Sequence, residues 1–150
     1  MIGTRMAGFV LAGVLVGATA CGPQVQAVQP EATTTSLPPS ETLNPLLEQA
    51  LPNVPGKTFT SAIVDFPPGA RAVPHRHGEA FVYAYVLEGS VRSELGDAPA
   101  KTYGTGENWV EEPGAHHVLT ENPSQTDRAK LLVVFISNTG DNLKVDDDPH

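Results

Sequence analysis

From Lys57 onward, hydrophobic and polar positions alternate with the period of two that a β-strand imposes on its two faces. Residues 58–66 (TFTSAIVDF) alternate and are rich in β-branched side chains, and Pro67-Pro68-Gly69 closes the run with a turn. Residues 80–87 (AFVYAYVL) and 90–95 (SVRSEL) flank Glu88-Gly89, which predicts a hairpin, and Gly96-Asp97 turns the chain again. Further breaks fall at 104–106, at Pro113-Gly114 and at Asn122-Pro123. Residues 129–137 (AKLLVVFIS) form the most apolar run and are expected as a central strand. One segment departs from the pattern: 44–50 (NPLLEQA) suits one or two helical turns, stopped by Pro52 and Pro55. Short, evenly spaced strands predict an all-β sandwich or barrel.

Within 80–87 the alternation sets Ala80, Val82, Ala84 and Val86 against Phe81, Tyr83, Tyr85 and Leu87, so both faces are apolar. A barrel strand turns one face to the lumen. The aromatic face then has to be covered by another sheet, by the N-terminal segment or by a second subunit, which favours a homodimer.

Residues 1–20 have the layout of a secretory signal peptide: Arg5 near the start, an apolar run, and small residues at the end. The run is short for a membrane span. Ala18-Thr19-Ala20 fits ordinary signal cleavage, while small residues before Cys21 resemble the bacterial lipobox, in which that cysteine is lipidated. The lipobox is the favoured reading because Cys21 is the only cysteine in the chain, although Ala18 stands where the motif prefers Leu. Residues 21–45 are rich in Pro, Gln, Thr and Ser and are expected as a flexible linker. The barrel domain is expected over 46–143 and a solvated acidic tail over 144–150. This organisation implies an exported protein of the cell envelope, either anchored to the membrane through Cys21 or free in the periplasm.

Composition removes other classes. A formal net charge of −8 with only nine Lys and Arg leaves no basic stripe for phosphates, so no nucleic-acid partner is expected. A single cysteine excludes a disulfide framework and a thiolate metal cage.

Four of the five histidines fall in two groups, His75-Arg76-His77 and His116-His117. On an extended segment His75 and His77 point to the same side, and a third imidazole from a neighbouring strand would complete a set around one ion. By spacing alone, a metal site and a pair of surface histidines are equally good readings.

The segments PPGARAVPHRHGEAFVYAYVLEG and GENWVEEPGAHHVLTEN resemble the two motifs of the cupin superfamily. Gly69, five residues, His75-x-His77 and Gly89 match the first motif; Gly106, Gly114, two residues and His117 match the second. Sixteen residues separate them, and the likeness, which covers about ninety residues, is nearest to the small single-domain bacterial cupins. The resemblance implies a jelly-roll β-barrel of six to eight strands in which His75, His77 and His117 bind a metal. His117 rather than His116 is then the inward ring.

The sequence departs from the family pattern at three places. Val82 occupies the position of the usual glutamate ligand, Glu112 that of the usual proline, and Glu121 that of the closing asparagine, with Asn122 beside it. Glu111 is the first candidate to replace the carboxylate, as a ligand or as an acid or base beside the site. Glu79 is a weaker one, because Gly78 is expected to break the strand there, and a three-histidine site with open positions is the remaining option.

Nitrogen ligands with at most one carboxylate suit a divalent transition metal (Fe, Mn, Ni, Cu or Zn) over calcium or magnesium, which prefer oxygen. Tyr83, Trp109 and His116 are pocket candidates, and Tyr85 and Tyr103 weaker ones. Arg71 and Arg76 are placed by motif position around the entrance. Two functions follow: a metal-dependent, oxygenase-like enzyme acting on a small organic molecule, with Glu111 as catalytic base, or a non-catalytic envelope protein holding a small ligand or a metal. A metal-independent sugar isomerase is a weaker third reading, since those cupins use other residues.

Overall fold

The computed structural model describes residues 39–148. The expected signal peptide, Cys21 and most of the linker lie outside the described residues. Within them the chain forms ten strands: β1 (Thr42–Ala50), β2 (Lys57–Phe66), β3 (His75–Arg76), β4 (Phe81–Glu88), β5 (Ser90–Leu95), β6 (Lys101–Gly104), β7 (Asn108–Glu111), β8 (His116–Glu121), β9 (Ala129–Asn138) and β10 (Val145–Asp146). They make two antiparallel five-stranded sheets, ordered β1-β2-β9-β4-β7 and β10-β3-β8-β5-β6. No helix occurs among the described residues. The expected central strand is β9, the middle member of the first sheet.

Three expectations are corrected. Residues 44–50 are not helical: they belong to β1, which pairs with β2 from Thr42↔Asp65 to Ala50↔Thr58 around a bulge between Pro45 and Leu47. A helix of two turns is marginal alone, whereas β2 offers a full row of unpaired backbone groups. As an edge strand, β1 also tolerates Pro45, which has no N–H to donate. The segments on either side of Gly89 do not pair with each other, because β4 lies in the first sheet and β5 in the second. Gly89 turns that corner at φ +70°, and a Cβ there would lie 2.5 Å from the Arg128 carbonyl oxygen. Finally, the sheets reach past the expected domain limits, since β1 starts inside 21–45 and β10 lies inside 144–150.

Both sheets contribute apolar and polar side chains to the interior, in different proportions. From the first, Ala62, Val64 and Phe66 on β2, Val82, Ala84 and Val86 on β4, and Leu131, Val133 and Phe135 on β9 are all buried. Full burial of each larger side chain contributes about 1.5–3 kcal/mol. From the second come His75, Ser93, His117 and Thr120, buried and polar. Polar groups in such a place persist only when they are satisfied by partners or by a ligand.

Candidate metal centre

Three short segments bring the imidazoles together. His75 on β3 is the direct cross-strand partner of His117 on β8, and Arg76 is opposite His116. Alternation therefore sends His75 and His117 inward, and Arg76 and His116 outward. His77 follows one residue after β3 on the side of His75, before Gly78 turns the chain at φ +55°. One ring nitrogen from each of His75, His77 and His117 falls within 4.8 Å of the others. The His75 ring centroid is 4.8 Å from that of His77 and 5.1 Å from that of His117.

Each ring is held by its other nitrogen. His75 donates Nδ1–H to the Val73 carbonyl at 2.7 Å, and His77 donates Nδ1–H to the Leu143 carbonyl. Both keep the Nε2 lone pair free. His117 Nε2 lies 2.8 Å from Ser93 Oγ and 2.7 Å from Thr120 Oγ1, so with Nε2–H donating to either hydroxyl the lone pair is on Nδ1. Outer contacts of this kind fix tautomer and ring orientation in metal sites.

Burial pushes the His75 ring down to about 4, helped by His77 and His117 and opposed by the Val73 carbonyl. Burial also lowers His77, against the pull of Leu143 and Glu111. The two rings are therefore neutral near pH 7, the state in which imidazole binds a metal.

Glu111 sits among them, 3 % exposed, with Oε1 3.1 Å from His117 Nδ1 and Oε2 3.6 Å from His77 Nε2. Trp109, two residues earlier on the same face of β7, donates its indole N–H to Oε1 at 3.1 Å. Burial raises the Glu111 carboxyl, but His117, His77 and the Trp109 indole outweigh it and hold it below the ordinary glutamate value. Glu111 Oε2 and His117 Nδ1 are buried without a hydrogen-bond partner. Two orphaned polar atoms beside free imidazole nitrogens suit a bound transition-metal cation, which accepts lone pairs from nitrogen and carboxylate alike.

These groups line a cavity of about 200 Å³ whose remaining lining is mostly apolar, Val64, Phe66, Val133 and Phe135 among it. Of the other sequence candidates, Trp109 lines the cavity and Tyr83 and His116 do not. Tyr83 is on the opposite face of β4, paired with Val110 and Val134, because Val82 and Ala84 take the inward positions. His116 points outward and bonds Asp147 at 2.7 Å. Tyr103 stacks on Trp109 at 4.7 Å. Glu79, Arg71 and Arg76 are exposed.

Sequence reasoning missed Ser93 and Thr120, although Ser93 betrays itself as a polar residue at an inward position two after Val91. It also missed Glu41 and Lys144, which line the cavity and pair at 3.0 Å. Lys144 further contacts Asp146 at 2.9 Å.

Residues 62–135 match the family model described as Cupin domain. Among solved structures, the chain is similar to an uncharacterized conserved protein with a double-stranded β-helix domain from Klebsiella pneumoniae. The TM-score is 0.57 and the identity 14%, over 73% of this chain and 86% of the other. An RmlC-like cupin family protein from Methanocaldococcus jannaschii gives 0.51 and 16%, over 63% and 78%. An oxalate oxidase gives 0.52 and 24%, over 81% and 67%. Likeness at these identities shows the fold. No curated protein matches the sequence.

Proposed function

The chain belongs to the cupin superfamily, and we propose that it is a metal-dependent, oxygenase-like enzyme acting on a small, largely apolar organic molecule. The observation that carries this is the meeting of His75, His77 and His117 with orphaned buried atoms at the side of an apolar cavity. His75, His77 and His117 would hold a divalent transition metal. Such an ion supplies Lewis acidity and, when redox-active, electron transfer. The chain's own part is to keep the rings neutral and oriented, and to surround the reacting molecule with Val64, Phe66, Val133 and Phe135, which exclude water and strengthen every polar contact inside. The proportion of apolar wall also supports the second reading, a non-catalytic protein that holds a small ligand or a metal.

We further propose export with a lipid anchor on Cys21, and a homodimer formed through the outer face of the first sheet, where Val110 and Ile136 remain exposed beside half-buried Phe81 and Tyr83. Cys21→Ser is expected to release the protein from membranes, and Val110→Glu with Ile136→Glu to yield a monomer by light scattering.

The deciding experiment is elemental analysis of the full chain, purified without a metal-binding tag or chelator, followed by oxygen uptake with small organics. Near-stoichiometric iron, manganese, nickel or copper that is lost in His75→Ala, His77→Ala and His117→Ala supports the site. Oxygen consumption separates the enzyme from the binding protein. Retention of metal in all three variants would overturn the assignment.

A further inference from the structure

Val82 and Glu111 are direct cross-strand partners in the β4–β7 pair. Both face inward, Val82 1% and Glu111 3% exposed. We propose that Glu111 is the fourth protein ligand of the metal site, its carboxylate supplied from β7 where the sequence pattern looks for one on β4. The proposal rests on the metal-site reading above.

The carboxylate is close enough by construction. Opposed residues on antiparallel strands have Cβ atoms about 4.5–5.5 Å apart, a displacement that the length of a glutamate side chain spans. Trp109 removes the remaining freedom by donating its indole N–H to Oε1.

The unpaired atoms identify the role. Glu111 Oε1 is 3.1 Å from His117 Nδ1, yet Nδ1 has no hydrogen-bond partner, and Oε2 has none either. Leaving a buried polar atom unsatisfied costs about 1–3 kcal/mol, so two adjacent ones call for a shared partner. Donors about 2.0–2.2 Å from one ion, set at tetrahedral or right angles, lie about 2.8–3.6 Å from each other. The separations of 3.1 Å to His117 Nδ1 and 3.6 Å to His77 Nε2 match the spacing of neighbouring ligands on one ion.

The test uses Co(II) with the full chain, read by chelator competition and by the visible absorption of the bound ion. Glu111→Gln keeps the shape and an acceptor for Trp109 but loses the anionic donor. It is expected to weaken Co(II) binding by about 100-fold or more, beyond what loss of an outer contact alone produces, and to change the visible spectrum. The swap V82E/E111V is expected to recover most of the affinity; if it does not fold by circular dichroism, Glu111→Gln decides alone. Wild-type binding of Co(II) with an unchanged spectrum and affinity in Glu111→Gln overturns the ligand role and leaves the three-histidine site standing. Failure of the wild-type chain to take up Co(II) overturns both.

Discussion

His77 and Leu143 are 66 residues apart, and the ring of one is held by the backbone carbonyl of the other. The carbonyl belongs to a C-terminal segment that is also tied down by β10 on β3 and by Asp147 on His116. Metal binding is therefore expected to depend on residues that touch no ion. Deleting 143–150 frees the His77 ring and should weaken Co(II) binding by roughly 10–100-fold. Unchanged affinity in the truncated protein, with its fold intact by circular dichroism, would refute this dependence.

Ser93 and Thr120 present the only hydrogen-bond partners of His117 Nε2 among the described residues. Ser93→Ala combined with Thr120→Val leaves that nitrogen buried and unpaired. The metal-free double variant is expected to lose about 1–3 kcal/mol in urea unfolding, and the metal-loaded one to bind more weakly. Either single variant, which leaves one hydroxyl in place, should cost much less.

Acid should destabilise the metal-free protein through His75. In an unfolded chain this ring takes up a proton near 6.5, and in the fold only near about 4. Between those values the unfolded state binds more protons, so stability rises with pH. The contribution is complete above 6.5, is lost as pH falls toward 4, and is gone below that. A shift of this size corresponds to about 3 kcal/mol. Urea midpoints measured in chelator across that window should fall as the pH is lowered in the wild type and fall less in His75→Gln; equal slopes would sink the prediction.

Gly89→Ala tests the corner between the sheets. The residue sits at φ +70°, and a methyl group would meet the Arg128 carbonyl oxygen at 2.5 Å. Left-handed backbone alone costs an alanine about 1–2 kcal/mol, and the overlap adds to it. A larger loss is expected than for alanine at Gly140, where φ is +92° and a Cβ would meet nothing within 4 Å. Thermal melts of the two variants give the comparison.

What the sequence by itself determined was written in local alternation. Runs at 58–66, 80–87, 90–95 and 129–137 became β2, β4, β5 and β9 nearly residue for residue, because the period of two records which face is buried. The same rule separates His117 from His116, and Trp109 from Val110. Motif spacing then pointed to the cupin fold and to His75 and His77 on one side of the chain.

Only the tertiary structure decided the rest, because it turns on which distant segments meet. Nothing local tells 44–50 to be a strand; β2 does, by offering an unpaired edge. Nothing between Leu87 and Ser90 says that the chain changes sheets; the pairing of β4 with β9 and β7, and of β5 with β8 and β6, does. Leu143 and Ser93 became partners of histidines that lie 66 and 24 residues away because the fold brings their segments together. Glu111 acquired its place beside His117 and His77 because β7 pairs with β4 in the one register that sets it against Val82. Register between strands is a property of the whole sheet, and side-chain chemistry at the site follows from it.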